Sequence, residues 1–125
     1  MQARVLMPRD HNKLDAFKLA DSLVLLVYRS TNDFPVTERY ELRSQMRRAA
    51  ISTPTNIVEG CGRESEGDYL RFLDIAYGSA RELNYLTSLA TRLELVDAAR
   101  SDEPTKLGER VAASIYGLRR SFGRR

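Results

Sequence analysis

Tryptophan is absent from this chain, and histidine and cysteine occur once each, as His11 and Cys61. A single histidine, placed before the helical region, excludes a zinc site built on several imidazoles, a His-centred catalytic triad and the paired Glu-x-x-His ligands of a di-iron bundle. One cysteine excludes an intramolecular disulfide framework and makes a reducing cytoplasm the expected setting. Proline (4) and glycine (7) are few and gather at junctions, which favours helices over a sandwich or barrel. The longest apolar run, Leu23–Val27, is far too short to cross a bilayer. Residues 1–10 lack the apolar core of a signal peptide, so no membrane association is expected. Lysine is scarce as well, because 17 of the 20 basic residues are arginine.

What is present suits one helical domain. The 125 residues support a single core, and the 42% hydrophobic and 30% charged fractions are those of a globular chain. Residues 1–12 show no sustained period and read as a flexible N-terminal arm. From Lys13, apolar residues step by three and four through Leu14, Phe17, Ala20, Val24 and Val27. After Phe34-Pro35, Thr37 is the expected N-cap of a second helix, whose buried face runs through Leu42, Met46, Ala49, Ala50 and Ile57. Ser65-x-x-Asp68 resembles a capping box and opens a long third helix through Tyr69, Phe72, Leu73, Ala76, Ala80, Leu83, Leu86, Ala90 and Leu93. Gly78 within it suggests a close helix–helix approach. Ser101 with Pro104 is expected to open a fourth helix seamed by Leu107, Val111, Ile115, Leu118 and Phe122. The expected architecture is an all-α, up-down-up-down four-helix bundle over residues 13–122, with a basic tail at residues 123–125.

The chain is organised around residues 47–62, where the apolar face stays in phase across Pro54. An interior proline removes one hydrogen bond and costs about 3 kcal/mol. A single kinked helix, with hydroxyls of Ser52, Thr53 and Thr55 serving the freed backbone, is preferred to a fresh helix with Thr53 as N-cap and Pro54 at its first position. The sequence alone does not decide between them. Gly60 and Gly62 are expected to stop the helix in a left-handed turn. Ser52, Asn56 and Glu59 share one helical face. They read as a buried polar network pinning helix register, with Arg48 or Arg81 balancing Glu59, in preference to a catalytic trio with Glu59 as base. Gly60-Cys61-Gly62 is a helix stop: it has no preceding strand and no third glycine for a nucleotide fingerprint. Cys61 at a helix C-terminus is expected to be unreactive. No cofactor and no metal site are expected.

The net charge of +3 is modest, but the arginines are patterned. Arg39, Arg43 and Arg47 recur every four residues on one face, Arg48 and Arg63 flank them, and Arg119, Arg120, Arg124 and Arg125 cluster at the C-terminus. Such a stripe tracks phosphates, since guanidinium forks pair with them bidentately. The other reading is a solvated face paired with Glu38, Glu41 or a neighbouring subunit. Tyr40, Tyr69, Tyr77, Tyr85 and Tyr116 fall mostly at helical spacing and read as core or interface rather than as base-stacking residues.

The patterns Phe34-Pro35-x-x-Glu38-Arg39-x-x-Leu42-x-x-Gln45, Arg48-Ala49-x-x-Ser52-x-Pro54-x-Asn56-Ile57-x-Glu59-Gly60 and, beyond Arg63, Phe72-Leu73-x-x-Ala76-x-Gly78-Ser79-x-x-Glu82-Leu83 resemble one family. It is the four-helix-bundle proteins encoded by intervening sequences of bacterial 23S rRNA genes, and the resemblance spans residues 13–96. It implies a ring-like homopentamer and kinship with the accessory variability determinant of diversity-generating retroelements, a basic pentamer that works with a reverse transcriptase and nucleic acid. No enzymatic activity is implied. The functional expectation is therefore a non-enzymatic homo-oligomer that binds RNA or DNA or acts as an adaptor. The alternative is a protein–protein scaffold whose arginines serve subunit contacts.

Overall fold

The computed structural model describes residues 9–38 and 41–123. Most of the expected arm, together with Arg39, Tyr40, Arg124 and Arg125, lies outside the described residues. Four α-helices carry the fold: α1 Asp15–Ser30, α2 Leu42–Cys61, α3 Glu66–Arg92 and α4 Ala98–Arg120, with single 3-10 turns at His11–Lys13 and Val36–Glu38. No strand occurs among the described residues. Each helix packs on the next, and α4 returns to α1, closing a four-helix bundle. Cross-contacts run in descending register, with Ser52 against Ser79 and Gly60 against Phe72, and likewise Asp74 against Arg119 and Asn84 against Gly108, so neighbours are antiparallel.

The buried faces follow the helical periods. Ala16, Ala20, Leu23 and Val27 of α1 meet Met46, Ala50 and Ile57 of α2, Leu73, Ala76, Ala80 and Leu83 of α3, and Val111 and Ile115 of α4 in one core. Helix α2 passes unbroken through Pro54, which is buried. Because proline has no N–H, the Ala50 carbonyl loses its partner from the following turn. The neighbouring hydroxyls do not replace it. Thr53 donates to the Ala49 carbonyl (3.0 Å) and Thr55 to that of Ile51 (2.7 Å), the pattern that bends a helix around such a residue.

The helices depart from expectation in four places, three of them at helix ends. Thr37 sits in the 3-10 turn, and α2 starts only at Leu42 with no side-chain cap. Gly62 is right-handed (φ −87°), so the glycine needed at this end is Gly60, for space: a Cβ there would lie 2.9 Å from the Phe72 Cβ. Helix α4 begins before Pro104, because Asp97 accepts the Arg100 N–H (2.8 Å) as N-cap. Gly78 is exposed and a Cβ there would meet nothing within 4 Å, so it marks no close approach within this chain. Ser65 does cap α3, accepting from the Asp68 N–H at 3.1 Å.

Helix α3 stops by a Schellman motif that the sequence disguises. The Leu95 N–H bonds the Ala90 carbonyl and the Glu94 N–H that of Thr91, with Glu94 left-handed at φ 61° where glycine is usual. At the other end of the bundle, residues 9–12 are docked rather than free. The Arg9 N–H bonds the Cys61 carbonyl (3.1 Å), and its guanidinium lies 4.1 Å from the Tyr69 ring and 5.0 Å from that of Phe122.

Candidate nucleic-acid interface

Helix α2 presents Arg43 and Arg47 four residues apart, yet only one of them is available. Arg47 donates through Nε to Thr31 Oγ1 (3.0 Å) and through Nη2 to the Tyr28 carbonyl (3.0 Å) and Asn32 Oδ1 (3.1 Å), with its guanidinium 4.3 Å from the Tyr28 ring. Burial lowers its pKa, and the charge of Arg43 pushes the same way. It therefore latches the start of α2 to the end of α1 and has few donors left for a phosphate. Arg119 is committed in the same manner: its Nε meets Asp74 Oδ1 at 2.9 Å, and the side chain is only 18% exposed, strapping α4 to α3. Both depart from the expected phosphate track.

Four candidates remain without a carboxylate partner among the described residues. Among the described residues Arg43 makes no hydrogen bond or ion pair, and Arg48 donates only to Ser44 Oγ (2.8 Å). The Arg63 guanidinium lies 4.6 Å from the Phe72 ring, and Arg120 reaches the Tyr116 hydroxyl at 3.5 Å. Arg39, Arg124 and Arg125 lie outside the described residues.

The expected polar trio divides. Asn56 Nδ2 donates to both the carbonyl (2.8 Å) and the Oγ (3.0 Å) of Ser52, and Ser52 bonds Ser79 across the α2–α3 seam at 2.8 Å. Glu59 is exposed and joins neither, and no arginine among the described residues pairs with it. Ser79 takes the place assigned to Glu59. Gln45, Arg48, Ala49, Ser52, Ser79 and Glu82 line an open polar groove of about 310 Å³ here, with Gln45 Nε2 3.4 Å from Glu82 Oε2.

Comparison with known proteins decides the family. The family model described as 23S rRNA-intervening sequence protein matches residues 12–117, most of the chain. The chain belongs to the 23S rRNA-intervening sequence protein family. A crystal structure of a protein with unknown function from the S23 ribosomal protein family of Bacteroides thetaiotaomicron superposes with a TM-score of 0.74 at 20% identity, covering 82% of this chain and 96% of that one. At that identity the likeness speaks for the fold. A search of curated proteins finds no match.

In this intervening-sequence protein the groove residues from Gln45 to Glu82 all fall within the matched span, whereas Arg119, Arg120, Arg124 and Arg125 fall beyond it. Ser79 and Glu82 were visible in the sequence only as part of the family pattern, because their partners lie on a different helix. Cys61 is buried, and burial raises its pKa; Arg9 lowers it and Asp10 raises it by smaller amounts. The thiol therefore stays protonated at neutral pH, as its position suggested, although burial is the main cause. Among the described residues no group of three or more His, Cys, Asp or Glu side chains is gathered as metal ligands. No helix there is long and apolar enough to cross a membrane.

Proposed function

We propose that this protein is a non-enzymatic, cytoplasmic homo-oligomer that binds nucleic acid, RNA above all, with low sequence selectivity, and serves as an adaptor. The observation that supports this reading best is the set of arginines without an acidic partner among the described residues: Arg43, Arg48, Arg63 and Arg120. Neither Glu38 nor Glu41 bridges Arg43, so that fork is not taken up by a neighbouring acid. Unpaired forks on a helical surface suit phosphate oxygens. Repetition around an assembly would convert weak single contacts into avidity. A nucleic-acid enzyme such as a reverse transcriptase is the protein partner that fits an adaptor of this kind.

Self-assembly, with a ring-like homopentamer as the expected form, is part of the same proposal. Phe17, Val24, Ile51, Pro54 and Val58 leave an open apolar groove of about 250 Å³ between α1 and α2 on the surface of the single chain. Asp21 is the one charged residue lining it, and a surface groove that is otherwise mostly apolar suits burial against a second copy. The same groove favours the second reading, a scaffold with no nucleic-acid role.

Replacing Arg43, Arg48 and Arg63 together by glutamine separates the two. The nucleic-acid reading expects weaker binding of single-stranded RNA in fluorescence anisotropy and a shallower dependence of log affinity on log salt. Unchanged affinity and slope would exclude this set of contacts.

A further inference from the structure

The face between α3 and α4 differs in chemistry from the apolar α1–α2 groove. Tyr77, Arg81, Tyr85 and Arg92 follow one another along α3 at steps of four, four and seven, which places them on one side of the helix. From α4, Tyr116 and Arg120 continue the alternation, and the rings of Tyr77 and Tyr116 meet across the seam with centroids 5.7 Å apart at 47°. Each tyrosine carries its own guanidinium near the ring: Arg81 at 5.8 Å from Tyr77, Arg92 at 5.8 Å from Tyr85 and Arg120 at 5.9 Å from Tyr116. Arg81 also donates to the Tyr77 hydroxyl at 3.1 Å. Tyr85 is 59% exposed and Tyr116 49%, unusual for large rings on a bundle of this size. Beside Tyr77 and Tyr116 opens a cleft of about 440 Å³, bounded also by Arg81, Asn84, Glu109 and Ala112; Tyr85 lies outside it, on the same helix as Tyr77.

We infer that this alternating tyrosine–arginine surface is a stacking track for the bases of single-stranded RNA. The inference rests on the nucleic-acid reading above and names the site and the form of the ligand. Exposed aromatic faces accept any base, and neighbouring guanidinium groups hold the backbone and stack in turn, so a track of this kind tolerates sequence. Arg81, Arg92 and Arg120 have no carboxylate partner among the described residues, which leaves their forks free for phosphate. Glu109 is the one acid lining the cleft. The α1–α2 groove, by contrast, is lined mainly by apolar side chains with Asp21 and holds no arginine. The small floor residues Ala112 and Ala113 and the neighbouring Gly117 leave room for a flat ring beside Tyr116.

The test uses the full chain, a fluorescein-labelled single-stranded oligoadenylate RNA and an abasic oligomer of the same length and charge. Binding is followed by anisotropy, and light scattering gives the oligomer mass of every variant. Wild type should bind oligoadenylate more tightly than the abasic chain. Replacing Tyr85 and Tyr116 by serine should lower oligoadenylate affinity about fivefold or more per ring lost, leave abasic binding and its salt slope unchanged, and leave the oligomer mass unchanged. Phenylalanine at both positions should restore binding, since the ring and not the hydroxyl does the stacking. Equal affinity for the two oligomers, or a serine variant that binds like wild type, would overturn the track while leaving the arginine reading intact. A serine variant of lower oligomer mass would reassign the face to subunit contact. Absence of binding to either oligomer by wild type would refute the nucleic-acid reading and the track with it.

Discussion

Arg47 and Tyr69 show how burial changes what a polar side chain does. The planar fork of Arg47 serves Thr31, Tyr28 and Asn32 at once, a geometry that an ammonium cannot reproduce. Arg47→Lys should therefore destabilise the chain by about 1–2 kcal/mol in urea unfolding despite its retained charge, and Arg47→Ala by at least as much. Tyr69 is fully buried and its hydroxyl has no hydrogen-bond partner among the described residues. Burial raises its pKa to about 12, with the nearby Cys61 adding to the rise and Arg9 opposing it. A phenol whose pKa is higher in the folded chain than in the unfolded one stabilises fully below the unfolded value near 10. That contribution, about 2–3 kcal/mol, is lost as pH climbs from about 10 through 12. Unfolding free energy should fall over that window. The fall should be smaller in Tyr69→Phe, measured in a Cys61→Ala background so that the thiol, also raised, does not contribute.

Helices α2 and α3 and the turn that ends α3 carry three backbone positions whose substitutions should move stability in opposite directions. Gly60 has no room for a Cβ against Phe72, so Gly60→Ala should cost about 1–3 kcal/mol through forced displacement of α3. Gly78 meets nothing, so Gly78→Ala should stabilise α3 by up to about 1 kcal/mol through helix propensity alone. A loss there, coupled to a smaller oligomer, would place Gly78 against another copy. Glu94 holds the left-handed position of a Schellman motif, and Glu94→Gly should raise stability by about 1 kcal/mol by removing the Cβ conflict. Thermal unfolding of the three variants side by side checks all three signs.

At the scale of the whole molecule, the prediction concerns assembly. Light scattering after size exclusion, with absorbance at 260 and 280 nm, should give the mass of five chains, together with excess 260 nm absorbance that high salt removes. A clean oligomer without that excess would favour the scaffold, and a monomer would count against assembly. Val58→Glu places a charge in the α1–α2 groove without touching the core and should lower the oligomer mass. Retained mass with a folded chain would show that this groove faces solvent in the assembly.

Local periodicity carried the four helices, their order and most of the core, because a stripe at three- and four-residue steps must be buried wherever its partner comes from. Leu93, at the end of its stripe, is exposed instead, and Leu70 and Ala112 are buried beside theirs. The Ser65 cap was likewise legible, being decided within one turn, whereas only the structure decided that α2 runs unbroken through Pro54. The fates of the arginines were not legible either. Arg43, Arg47 and Arg48 have similar sequence surroundings. Only the docking of α2 beside the end of α1 sends Arg47 into the Thr31–Asn32 corner, and only the α3–α4 seam brings Asp74 to Arg119. Likewise Ser52 and Asn56 announced a polar network, but its third member, Ser79, comes from the helix across the seam. Spacing along one chain fixes which side chains share a face; pairing between faces depends on the register and distance of helices that the bundle alone brings together.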